Sequence, residues 1–228
     1  MSEAHYLNKL YPLQDKILQS FSANNIRHYL TGGTALGRIY LQHRFSDDLD
    51  FFLNNDPAFE TESDRAIDLL KKEFKQVTID NRQTDFARLF ITVDNVTLKL
   101  DFINDVAWRF NGFENTSVYY KVDNPINILS NKVAALNRQA AKDIADIIFI
   151  CKKYSFTWPG IIGDAAQKDN WVNEVDVLTF IKTFDQTKLL TDVAWIQSPD
   201  INSISETIKK ICFDIASAGI NSLSEIQD

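Results

Sequence analysis

This chain of 228 residues is short of nearly everything from which secreted, zinc-held or membrane-bound proteins are built. Its two cysteines, Cys151 and Cys212, lie in apolar helical contexts and read as buried free thiols of a reducing compartment, not as a disulfide framework. The three histidines, His5, His28 and His43, are scattered without zinc-ligand spacing. No stretch is apolar enough to span a membrane, and Met1-Ser2-Glu3 opens no signal peptide, so a cytoplasmic location without membrane association is expected. Positive charge is scarce too. The 24 Lys and Arg face 31 Asp and Glu, and a net charge of −7 does not suggest a constitutive nucleic-acid binder. Internal repeats and low-complexity tracts are missing as well. Core-forming residues are plentiful: 45% of the chain is apolar and 16 residues are phenylalanine, ample for one large domain or two small ones.

The most informative stretch is residues 30–52, LTGGTALGRIYLQHRFSDDLDFF. Residues 26–30 (IRHYL) read as a short strand, and Thr31-Gly32-Gly33-Thr34 follows it directly. Glycine tolerates positive φ and lets a ligand approach the backbone closely. Residues 35–43 then carry Leu36, Ile39 and Tyr40 at helical spacing. Strand, glycine turn and helix start together aim free N–H groups and a positive dipole end at one spot, which suits a phosphate. Alone, the pattern is also that of an ordinary tight turn, and it matches neither the dinucleotide-binding nor the P-loop fingerprint.

Two acids sharpen it. Along residues 48–53 (DLDFFL) a strand would put Asp48 and Asp50 on one face and Leu49 and Phe51 on the other. Carboxylates about 6–7 Å apart along a strand can converge on one hard cation or bracket two. Magnesium suits them, because it takes oxygen ligands and keeps partners from water and substrate phosphate. An isolated pair of this kind could equally be a solvated turn after Ser46-Asp47. The glycine turn upstream favours the metal. A third acid, Asp101, sits between Leu100 and Phe102 in the alternating run 97–103, where burial penalises a carboxylate that is neither paired nor metal-bound. Residues 86–93 (FARLFITV) read as the hairpin partner of that run, with Asp94-Asn95 as the turn. Asp101 would then stand beside Asp48 and Asp50.

These residues resemble the polymerase-β nucleotidyltransferase superfamily, and more closely the AbiEii-type nucleotidyltransferases, the toxin half of type IV toxin–antitoxin systems. The resemblance is carried by GGTAL, by HRFSDDLDFF, by Lys132-Val133-Ala134-Ala135-Leu136-Asn137-Arg138 and by Lys142-Asp143-Ile144-Ala145-Asp146, and covers roughly residues 25–153. It implies a magnesium-dependent transfer of an NMP from an NTP to an acceptor hydroxyl, with two metal ions on Asp48, Asp50 and Asp101 and manganese as a substitute. It places Gly32, Gly33, Thr34 and Arg44 near the nucleotide, Lys132 on its triphosphate, and Asp143 in the active site as a polar organiser. In such chemistry the third acid can also help deprotonate the attacking hydroxyl. The acceptor implied is RNA, such as a tRNA 3′ end, or a protein hydroxyl, and a cognate antitoxin protein is an implied partner.

The fold expected is α/β: a nucleotidyltransferase-type mixed β-sheet with flanking helices, then a helical C-terminal region. Residues 6–24 read as an amphipathic helix with Leu10, Leu13, Ile17, Leu18 and Phe21 on its apolar side. A helix over 64–74 would start behind Glu60-Thr61-Glu62-Ser63, read as a capping stretch, and 77–79, 87–93 and 97–103 would complete the sheet. Asn124-Pro125 marks a boundary, giving domains 1–124 and 125–228. Residues 127–154 form one long helix or two, breaking near 138–141. There Asp146 pairs with Lys142 or Arg138 if it is not catalytic. Residues 155–160 break the helical pattern, which resumes over 171–184, 189–194 and 203–218.

Two other functions fit the same motifs. One is a catalytically silent nucleotide-binding partner protein. The other is a small-molecule, aminoglycoside-type nucleotidyltransferase, which the excess of Asp and Glu over Lys in residues 155–228 would suit because aminoglycosides are polycations. For RNA, the run Lys132, Arg138, Lys142, Lys152 and Lys153 against Asp143 and Asp146 offers a local basic face.

Overall fold

Alternating burial along the strands builds the sheet, as the computed structural model of residues 2–224 shows. Strand β1 (Tyr29–Thr31) is short, and β2 (Asp48–Asn54) buries Leu49, Phe51 and Leu53 while Asp48 and Asp50 stay half-exposed on the other face. The long hairpin follows: β3 (Val77–Gln83), β4 (Phe86–Val93) and β5 (Val96–Asp105). Ala87, Leu89 and Ile91 of β4 and Leu98, Leu100 and Phe102 of β5 join the same buried layer. The spatial order is β1-β2-β5-β4-β3; β2 runs parallel to β5 and every other pair is antiparallel. The sheet is therefore mixed, as the sequence implied. Asp94 and Asn95 both take positive φ, which is what a two-residue hairpin turn demands of its central residues.

Helices cover the buried face. Helix α1 (Tyr11–Ala23) continues a π-helical turn (Tyr6–Leu10) and packs Leu13, Ile17, Leu18 and Phe21 inward. Helix α2 (Gly32–Ala35) runs straight into a second π-helical turn, Leu36–Tyr40. The helix expected over 35–43 thus starts earlier, at the glycines, and ends earlier. Likewise the strand expected over 26–30 is confined to β1. Helix α3 (Phe59–Glu73) begins ahead of the presumed capping stretch, so Glu60, Glu62 and Ser63 lie inside it. Ser63 faces inward because its hydroxyl meets buried His28, 3.2 Å from Nε2.

His28 has a consequence for stability. Burial first, and then the charges of Lys121 and Arg27, push its pKa down to about 3. An unfolded chain protonates this ring near pH 6.5, whereas the folded protein leaves it neutral until far lower. The contribution is therefore complete above about pH 6.5 and is lost as the pH falls towards about 3. Calorimetry should show the Tm already falling between about pH 6.5 and 4.5, above the range of ordinary carboxylates. His28→Gln should flatten that decline; an equal slope in the variant would contradict the assignment.

Contacts divide the chain into two units, one comprising residues up to 107 with 112–124, the other 108–111 with residues from 125 onward. The second is helical. Helix α4 (Pro125–Ala134) starts on the proline, which is tolerated at the first helical position. A 3-10 turn (Leu136–Arg138) and the left-handed Gln139 separate it from α5 (Ala141–Lys153), so the 127–154 stretch is two helices. Residues 158–160, read from sequence as part of a break, begin α6 (Trp158–Ala166), with Thr157 Oγ1 accepting from the Gly160 N–H at 3.3 Å. Helix α7 (Glu174–Thr183) is capped by Asn173, α8 (Lys188–Thr191) is a single turn, and α9 (Ile201–Ala216) is capped by Asp200. No described helix is long and apolar enough to cross a membrane.

Candidate active site

The sheet's register assembles the charged cluster. Parallel pairing sets Asp48 opposite Lys99 and Asp50 opposite Asp101, all four on the face away from the buried layer. Antiparallel pairing adds Arg88 of β4 opposite Asp101. Three carboxylates and two cations thus share one patch of three neighbouring strands.

Asp101 is the most constrained of them. Arg88 grips it with two parallel bonds, Nε to Oδ1 at 2.7 Å and Nη2 to Oδ2 at 2.8 Å. Lys99 Nζ adds a third at 3.1 Å and also lies 3.0 Å from Asp48 Oδ2. Burial would raise the Asp101 pKa, but the Arg88 bonds and the Lys99 charge outweigh it and hold the carboxyl below its usual range. For Lys99, burial works against the charge, yet Asp48 and Asp101 prevail and the pKa is raised. Arg88, whose pKa the Asp101 bonds raise, completes a trio with Asp101 and Lys99 that is ionised at neutral pH.

The glycine turn closes over this patch. Gly32 has φ +70° and lies so close to Asp50 that a Cβ there would fall onto Oδ2. Only glycine fits that backbone. A Cβ on Gly33 would come within 2.5 Å of Arg44 Nη2 and 3.1 Å of Ser46 Oγ. Arg44 is buried, and its Nη1 donates to the Phe45 carbonyl at 3.0 Å. The Thr34 hydroxyl, expected at the nucleotide, instead donates to the Asp48 backbone carbonyl and ties the turn to β2. Gly32, Gly33, Thr34, Arg44, Asp48, Asp50 and Asp101 are thus brought together within the first unit.

The second unit holds Lys132 and Asp143. Lys132 Nζ lies 2.7 Å from both Asp143 Oδ1 and Asp146 Oδ2, and Arg138 Nε lies 2.6 Å from Asp143 Oδ2. Asp143 is buried, which would raise its pKa, but Lys132 and Arg138 lower it. Asp146 therefore pairs with Lys132 across the α4–α5 bend, an ion pair that spacing along one helix does not suggest.

Sequence reasoning missed Arg88, Lys99 and Ser46. The first two were legible: a two-residue turn at Asp94-Asn95 fixes the hairpin register and so puts Arg88 against Asp101. Lys99, two residues before Asp101, must share its face.

As a metal site the donor set is all oxygen, and magnesium needs only one or two carboxylates beside substrate phosphates. Asp48 and Asp50 meet that requirement. Among the described residues, no three His, Cys, Asp or Glu side chains already converge as a metal group.

The family described as nucleotidyl transferase AbiEii toxin, type IV TA system, matches residues 13–168, about two thirds of the chain. The chain belongs to the AbiEii family. It is accordingly a nucleotidyltransferase by descent. Among solved structures it is similar to a Helicobacter pylori protein provisionally assigned as a nucleotidyltransferase, at 20% identity, 95% coverage of this chain, 96% of that one and a TM-score of 0.62. It is also similar to JHP933 from Helicobacter pylori, at 19% identity, with 92% and 93% of the two chains covered and a TM-score of 0.60. At such identities the likeness speaks for the fold. No curated protein matches the sequence.

Proposed function

We propose that the protein is a magnesium-dependent enzyme that transfers an NMP from an NTP to a hydroxyl of RNA, acting in the cytoplasm as the toxin of a toxin–antitoxin pair. The observation that carries the reading is the Asp48–Asp50 pair on one face of β2 beneath the Gly32-Gly33 turn. A divalent ion held there would supply positive charge at the α-phosphate and the departing pyrophosphate. The acceptor oxygen attacks the α-phosphorus in line, its O–P bond forms as the bond to pyrophosphate breaks, and the hydroxyl proton passes to solvent. Gly32 and Gly33 offer backbone to the triphosphate without a side chain in the way. Arg44, packed against Gly33, lends the turn a fixed positive charge. Lys132 is assigned to the triphosphate and Asp143 to its orientation on the strength of the family pattern.

RNA is favoured over a small acceptor by exposed aromatics. In the second unit Trp108 and Phe110 are both solvent-exposed, with Arg109 between them in sequence. Bases of single strands stack on such faces regardless of sequence. The test incubates the protein with magnesium, each α-labelled NTP in turn and total RNA, and resolves products on a denaturing gel. Label in a tRNA-sized band would establish the reading and name the nucleotide. Label on protein alone would replace RNA with a protein hydroxyl. No label, with NTP still bound, would leave a small-molecule enzyme or a silent binding protein.

A further inference from the structure

A polymerase-like site with three carboxylates is expected to take two divalent ions, one of them bridging the third acid to the other two. The strands here leave that place to a side chain. Lys99 stands directly opposite Asp48 in the β2–β5 register and two residues before Asp101 on the same face. Its ammonium lies 3.0 Å from Asp48 Oδ2 and 3.1 Å from Asp101 Oδ2, a single cation bridging two carboxylates on neighbouring strands. Those are the oxygens a bridging metal ion would need.

Arg88 closes the remaining approach. Its bidentate grip occupies both Asp101 oxygens, and its guanidinium carbon sits 5.3 Å from the centroid of the Phe86 ring. Planar, always-charged arginine is the side chain best matched to a carboxylate in this way. Both Asp101 oxygens are thus held by nitrogen donors. The charge count points the same way: three carboxylates and two cations leave the patch with one net negative charge, which one divalent ion takes to +1 and a second would take to +3 before any nucleotide arrives.

We infer that Lys99 takes the place of the second metal ion, so that the site binds one divalent cation, on Asp48 and Asp50, and Asp101 serves as the anchor that fixes Lys99 and Arg88. The inference rests on the proposed metal role of Asp48 and Asp50. Asp101 is then a positioning residue, contrary to its expected part as metal ligand and proton acceptor. Lys99 delivers its charge from a rigid strand and carries no open coordination position.

The experiment titrates Mn2+ alone into the protein and counts bound ions from the loss of the free-ion EPR signal. One ion per wild-type chain is expected. It should be lost in Asp50→Asn and kept in Asp101→Asn, and Lys99→Met, which removes the charge but keeps most of the stem, should admit a second ion. Two ions in the wild type, with one lost in Asp101→Asn, would overturn the inference while leaving the roles of Asp48 and Asp50 intact. No bound ion in any of these proteins would remove both. The wild-type count decides the matter even if Asp101→Asn, which strands Arg88, folds poorly.

Discussion

Asp50→Asn is expected to reduce nucleotidyl transfer about a thousandfold or more while the Tm stays the same or rises. Losing one strong electrostatic contact to a transition state costs on that scale, roughly 4 kcal/mol of activation free energy. Asparagine keeps the shape of the side chain against Gly32 but brings a neutral amide where the metal needs a carboxylate. Stability should not suffer, because Asp48, Asp50 and Asp101 crowd one face of β2 and β5, and removing one charge relieves like-charge repulsion. Leu49 and Phe51, which carry this strand's share of the core, are untouched. The check is a transfer assay run beside a thermal melt. Full activity in the variant would sink the metal assignment; low activity with a collapsed melting curve would show a folding defect instead.

The residues of this prediction were readable from sequence because β-strands alternate. Once DLDFFL is a strand, its acids must share a face, and the structure needed only to supply the neighbour. The hairpin turn was equally plain, since Asp94-Asn95 tolerates the left-handed backbone that the turn imposes. Errors arose where one local signal serves two structures. Trp158-Pro159-Gly160 resembles a helix breaker, yet proline fits a first helical turn as well as a loop, and the Thr157 cap decides for the helix. Glu60-Thr61-Glu62-Ser63 resembles a cap, but Ser63 is claimed by His28, a partner 35 residues away that no local pattern can show. The same holds for Asp146. Helical spacing offers it Lys142, while the bend at Gln139 folds α4 back and brings Lys132. The site's acids stood out and the strand cations Arg88 and Lys99 were passed over, although the hairpin register places them, because a carboxylate flanked by apolar residues is conspicuous whereas a lysine or arginine on a strand reads as ordinary solvated surface.

The second large effect is expected at Lys132. Lys132→Ala should destabilise the protein by about 3–5 kcal/mol, the range for removing one partner of a buried ion pair, and lower the Tm on the order of 10 °C. The cause is what it leaves behind: Asp143 and Asp146, both buried, lose the ammonium that lies 2.7 Å from each. Loss of activity in that variant would therefore say nothing about the nucleotide. A variant that neutralises the cluster separates the two roles. Lys132→Met combined with Asp143→Asn and Asp146→Leu removes both carboxylate charges along with the ammonium, keeps an acceptor for Arg138, and should recover most of the stability, since exchanging a buried ion cluster for packed neutral side chains is close to neutral or better. If Lys132, with Asp143 orienting the triphosphate, serves the nucleotide, the combined variant melts near the wild type and is inactive, and its KM for NTP rises wherever residual turnover can be measured. If the Lys132–Asp143–Asp146 cluster serves stability alone, the same protein melts near the wild type and transfers normally. A charge placed for stability can be designed away with its partners, whereas a charge placed for substrate cannot.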